Sequence, residues 1–301
     1  MAYKTATIVQ PGKSNTKIGH GLENYPDLSI FTVSLASSDT SGHNLCPKAM
    51  RQTMIDKILA GYKSVEVGMQ AVKDYAMERG LSLCTLSCVT NRSGKGAAEF
   101  VREPRKNLSR WYVEDRPSFK AAMIAEFQAK IRRGGSVACR PNVDSDVPWE
   151  RTVPEMFNLP MTFWDYTKVS KRLGKTPANY HLTYSVSDGT TAEDWKNVHA
   201  SGCNIAVVFN TIWQPGGKAQ YHKFGVLPTW FTDPTGKRWR VVDGDKTDLR
   251  FTDPKNVCVG LRLKGRKWER AIAIWSGFAR AIPTRLRKLF KTTHPSKAIA
   301  A

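Results

Sequence analysis

"MTFWDYTKVSKRLGKTPANYHLTYSVS", residues 161–187, decides how this chain is read. The flanking runs, MTFWDYT and YHLTYSVS, are rich in aromatic and β-branched residues and read as strands. Between them VSKRLG is short, basic and helix-like. The same rhythm continues outward. SVACRPNV precedes the pair, and TAEDWKNVHAS, CNIAVVFNT, RWRVVDGD and VCVGLRLKG follow it. Strands alternating with helices predict an α/β domain built on a parallel sheet. No Gly-rich dinucleotide fingerprint and no Walker A loop accompanies them, which counts against a nucleotide-binding doubly wound fold. The expectation is a barrel-like sheet of the TIM or radical-SAM-like kind, with its site at the carboxyl ends of the strands.

Upstream, SFKAAMIAEFQAKIRRGG is the clearest helix. Ser118 is its expected cap, Met123, Ile124, Phe127 and Ile131 its apolar face, and Gly134-Gly135 its stop. The stretch from Pro47 to Gly80 has helical spacing of Met54, Ile58, Leu59 and Tyr62. Downstream the composition shifts: from Arg262 to Lys297 there are 11 Lys or Arg and one acid, Glu269. The reading is therefore a domain over residues 1–265 and a basic, amphipathic helical tail over 266–301, with Arg285, Arg287 and Lys288 free to meet phosphates. Contact with anionic lipid is the rival reading of such a tail and ranks behind nucleic acid.

Charge is the strongest global signal. Lys plus Arg is 46 and Asp plus Glu is 26, a net charge of +20. An excess of this size favours a polyanionic partner, nucleic acid first. The first residues, MAYKTATIVQPGKSNTKIG, lack an apolar signal region, and the six cysteines read as reduced thiols of a cytosol. In the segment from Asn91 to Arg116, the basic residues Arg92, Lys95, Arg102, Arg105, Lys106 and Arg110 surround Trp111 and Tyr112. Cations interleaved with aromatics suit a single strand, with charge on the backbone and stacking on the bases.

Polar residues gather where the strands are expected to end. RPNVDSDVPWE carries Asp144 and Asp146, FWDYTK carries Asp165 and Tyr166, and VVDGDKTD carries Asp243. Asp144, Asp146 and Asp243 converging on one rim would hold magnesium, a hard cation suited to phosphate chemistry. Ordinary turn chemistry explains the same aspartates without a metal. Tyr166 or Tyr184, with Asp165 nearby, is then the candidate nucleophile for a phosphodiester. The competing account is plain aromatic packing. Six histidines, none in a His-hydrophobe-His pair, argue against the metal site of rolling-circle nickases. Cys84 and Cys88, with the remote Cys46, are the residues that would bind zinc or an iron–sulfur cluster. The triplet that a radical-SAM loop needs is broken at Asn91.

These stretches together, with NTKIG, SCVTNRSG, ANYHLTYSVSDGT and GCNIAVVF, resemble a family of phage and plasmid proteins known as gene product eighty-eight-like. The resemblance covers about residues 13–265. It implies work on a phage genome in the host cytoplasm: DNA replication, with DNA and host replication proteins as partners. Initiation by nicking is the enzymatic version of that expectation. A non-catalytic nucleic-acid-binding protein and a metal- or cluster-dependent enzyme are the alternatives. Many members of the family have a fuller cysteine pattern than this chain.

Overall fold

The computed structural model describes residues 7–12, 16–88, 98–211 and 225–282. Ten strands form one sheet: β1 (Gln10–Pro11), β2 (Leu28–Thr32), β3 (Ser136–Arg140), β4 (Thr162–Thr167), β5 (Tyr180–Ser185), β6 (Ile205–Asn210), β7 (Trp230–Thr232), β8 (Arg238–Asp243), β9 (Val257–Arg262) and β10 (Ala279–Ala281). Their spatial order is β1-β2-β3-β4-β5-β6-β9-β8-β7, with β10 paired to β6. From β2 to β6 each new strand is added parallel and on the same side of the last. Right-handed crossovers then put the links between them on one face.

The α/β parallel expectation holds, but closure into a barrel does not. After β6 the order turns back, because β9 inserts between β6 and β8, and β7 closes against β8 antiparallel. The other end is closed off by β1, antiparallel to β2. Among the described residues no ladder joins β1 to β7, so the sheet is open.

The two faces of the sheet differ. Phe163 of β4 and Val137 and Cys139 of β3 belong to the main core with Phe119, Met123 and Phe127 of the Arg116–Ile131 helix. Burying each large side chain contributes about 1.5–3 kcal/mol. On the opposite face Ile30, Ala138 and Trp164 pack against Ile18 and Leu249. The cap of the 116–131 helix is Asp115, whose carboxylate accepts from Ser118 N; the hydroxyl expected to cap sits inside the first turn. The stretch after Pro47 forms two helices, Gln52–Leu59 and Val65–Glu78, with Ser64 capping the second.

Within the stretch expected to be a tail, the described residues 266–282 are joined to the sheet domain. The Lys267–Ser276 helix packs against the turn at Leu83–Ser87, and β10 pairs with Val208, Phe209 and Asn210 of β6. β5 occupies that side of β6 at Ile205 and Ala206, so β10 takes over where β5 ends. Arg285, Arg287 and Lys288 lie outside the described residues, as do Arg92 and Lys95.

Candidate functional site

Successive side chains of a strand point to opposite faces. On β4 this sends Asp165 and Thr167 to the helical face with Phe163, and Tyr166 to the other face with Trp164. Register places Tyr184 beside Thr167 and Thr183 beside Tyr166. Asp165 and Tyr184 thus share the helical face, while Tyr166 stands on the reverse. The three candidate catalytic residues do not form one site.

Asp165 is fully buried. It accepts hydrogen bonds from Asn142 N at 2.8 Å, Asn142 Nδ2 at 3.0 Å and the Tyr180 hydroxyl at 2.7 Å. Burial pushes its carboxyl up to about 7, against Arg140 and the bonds from Tyr180 and Asn142. Beside it Arg172 reaches Asp146 at 2.6 Å and grips Glu150 with Nε and Nη2, both at 2.9 Å. Asp146 also accepts from Thr167 and from Lys168 N. A buried guanidinium in a fork with two carboxylates is geometrically specific, and removing it would leave those charges uncompensated.

On the other face the Tyr166 hydroxyl donates to Asp248 at 3.2 Å, and Arg140 reaches the same carboxylate at 2.5 Å while lying 5.0 Å from the Tyr166 ring centre. Burial, with Asp248 beside it, pushes the Tyr166 phenol above its ordinary range. Tyr184 donates to Thr190 at 3.3 Å, and burial pushes its phenol up as well. Attack on phosphorus needs a phenolate or a base to make one. Both phenols are instead held protonated.

The carboxylates expected to hold magnesium are each committed to an arginine. Asp144 pairs with Arg105 at 2.7 Å, Asp146 with Arg172, and Asp243 with Arg262 at 2.8 Å. They do not converge, and they do not fit a shared magnesium site. Among the described residues no group of three His, Cys, Asp or Glu could hold a metal ion.

The thiols are brought closer than their spacing suggests. A bridge between Ala49 and Ser82 lays the segment carrying Cys46 beside the one carrying Cys84 and Cys88. Asp188, just beyond β5, fixes the second segment by accepting from Ser82 Oγ at 2.6 Å and Leu83 N at 2.8 Å. Gly189 permits this approach: a Cβ there would lie 2.3 Å from the Leu81 carbonyl oxygen. Burial pushes the Cys46 thiol up to about 12 and raises Cys84 too. Lys168 stands in the same neighbourhood, its Nζ 3.4 Å from Ser185 Oγ. Burial opposes its charge, but the Asp146 and Asp188 carboxylates hold it above the usual lysine range. Arg280 of β10 completes this rim by donating to Ser187 O at 3.0 Å. Lys168 and Arg280 thus stand at this rim with Asp188 as a shared counter-charge, beside Cys46 and Cys84 thiols that burial holds protonated.

The basic and aromatic cluster before residue 116 is a helix, Glu99–Glu114, with Pro104 inside it. Trp111 is buried against Phe119 and offers no ring to a base. Arg102 and Lys106 pair with Glu99, Lys106 also with Glu103, and Arg110 with Glu114. Side chains three or four apart meet on a helix, which is why Arg102 finds Glu99, Lys106 finds Glu103 and Arg110 finds Glu114. Trp111 and Tyr112, the rings expected to stack on bases, are therefore both taken up by the core.

A family model described as gene product 88 matches residues 6–280. The chain belongs to the gene product 88 family. The match takes in β1 through β9, the start of β10, the rim and the buried charge networks, and it supports a phage-like family. No curated protein and no solved structure matches the chain. Among the described residues no helix is long and apolar enough to cross a membrane.

Sequence reading missed Arg172, Tyr180 and Asn142, the partners that occupy the acids. The basic pair Lys171-Arg172 looked like a solvated connector. Its one available signal was an arginine with Leu173 after it and Val169 three residues before it, in a short turn following a strand.

Proposed function

We propose that this gene product 88 family member is a phage DNA-replication protein that binds the phage genome in the host cytoplasm, alongside host replication proteins, and does so without a tyrosine nucleophile. The observation that carries the reading is how charge is divided between inside and outside. Among the described residues seven acids are buried, against two basic residues, Arg172 and Arg250. Most of these acids are used up by Lys or Arg partners within the fold, such as Asp245 with Lys17, Asp248 with Arg140 and Glu269 with Arg266, and the chain's excess of +20 is left for the surface. A surface so biased attracts a phosphate backbone by counterion release.

Magnesium-dependent nicking loses its support with the positions of Tyr166, Tyr184, Asp144 and Asp146. The test pairs retardation of phage DNA with relaxation of supercoiled DNA in magnesium. Binding without relaxation, unchanged in Tyr166→Phe and Tyr184→Phe, is the expected outcome. Relaxation that disappears in either Phe variant would restore the nicking mechanism. Absence of DNA binding by the wild-type protein would overturn the function itself.

A further inference from the structure

The hairpin of β7 and β8 ends the sheet and has two unlike sides. Register pairs Phe231 with Trp239 on the inner side, and Trp230 with Arg240 and Thr232 with Arg238 on the outer side. The inner rings meet Trp195 and His199 of the Ala192–Ser201 helix. Asp233 locks the turn. It accepts from Thr235 N and Oγ1, Lys237 N and Trp239 Nε1, and its contact with His199 Nε2 is 2.8 Å. Burial opposes the Asp233 charge, yet the bonds from Trp239, Thr235 and His199 hold its carboxyl at about 2. The hairpin is thus rigid while its outer row is open to solvent.

That outer row is the reverse of the Glu99–Glu114 helix. Trp230 is 45% exposed, with the Arg238 guanidinium 4.8 Å from its ring centre. Arg238 and Arg240 are both exposed, and among the described residues neither has an ion pair with a carboxylate. They lie two residues apart on one face, about 6–7 Å along the strand, so both can meet one backbone.

We propose that the outer row of the β7–β8 hairpin is a contact surface for single-stranded DNA, with Trp230 stacking on a base and Arg238 and Arg240 on flanking phosphates. The proposal rests on the reading of the chain as a DNA-binding protein and gives that reading a location. Exposed aromatics beside unpaired cations are what single-strand binding uses, because every base has a π face and every link a charge. Strand addition by a second copy or by another protein is disfavoured at this edge, because the edge strand β7 is only 3 residues long.

Anisotropy of labelled oligodeoxythymidylate, and of a duplex of equal length, tests it with the full chain. Trp230→Ala should weaken the single-strand affinity about tenfold while changing the duplex affinity less than about twofold. The double variant Arg238→Gln/Arg240→Gln should weaken binding to both and reduce the single-strand salt slope by about 1.4. Arg132→Gln/Arg133→Gln, an equal charge change at exposed residues after the 116–131 helix, should stay within about twofold of wild type. Thermal unfolding of each variant checks that the fold is kept. If the wild type binds and the hairpin variants bind equally well, or the control loses as much, the hairpin proposal is overturned. A Trp230→Ala variant that alters oligomeric state but not DNA affinity also overturns it. If the wild type binds neither DNA, the proposed function itself falls.

Discussion

The carboxyl ends of β4 and β5 and the outer row of β7–β8 are both rich in charge and aromatic rings, and they use them in opposite ways. Around β4, Arg172 faces Asp146 and Glu150, and Asp165 faces Tyr180 and Asn142, all inside the fold. On the hairpin, Arg238 and Arg240 face solvent beside an exposed tryptophan. Residue type alone does not mark a functional site. What separates the two regions is whether a charge already has its partner within the protein: the satisfied region gives structure, and the unsatisfied one is available to a ligand.

The largest expected effect breaks the satisfied side. Arg172→Met removes the guanidinium that Asp146 and Glu150 share, and should destabilise the protein by about 3–5 kcal/mol. Urea denaturation measures it; a loss below about 1 kcal/mol would mean that these carboxylates find solvent or other partners. DNA affinity of the molecules still folded should be unchanged, since the residue is buried and remote in kind from the outer row.

A smaller effect sharpens the same side. The folded Asp165 carboxyl titrates at about 7, whereas the unfolded one titrates near about 4. Between those values the folded chain binds more protons, so this residue makes stability decline as pH rises across that window and level off above it. Asp165→Asn should flatten that decline between pH 5 and pH 8 in urea titrations. An undiminished decline would assign it to another group.

The rhythm of the sheet was legible because aromatic and β-branched runs alternate with polar, helix-forming segments, and β3 to β6, β8 and β9 all fall within the runs read as strands. Barrel closure was not legible, because it depends on the order in which late strands pair, and β9 returning between β6 and β8 leaves no mark on composition. The candidate site failed for a more local reason. Asp165 and Tyr166 are neighbours in sequence, but a strand turns such neighbours to opposite faces. Asp248, which occupies Tyr166 and Arg140, lies 82 and 108 residues away from them. The basic cluster failed likewise, because Glu99, Glu103 and Glu114, which neutralise Arg102, Lys106 and Arg110, meet them only once the segment is coiled into a helix. The hairpin row was missed because Trp230, Arg238 and Arg240 come together only when β7 and β8 pair.

The central claim is that the unsatisfied surface cations of this chain meet a phosphate backbone, and salt dependence of binding tests it most directly. The affinity of the wild-type protein for single-stranded DNA should fall linearly on logarithmic axes as salt rises, with a slope of about −3 or steeper, as expected for four or more neutralised phosphates. A slope near zero would contradict the account, because binding would then owe little to charge.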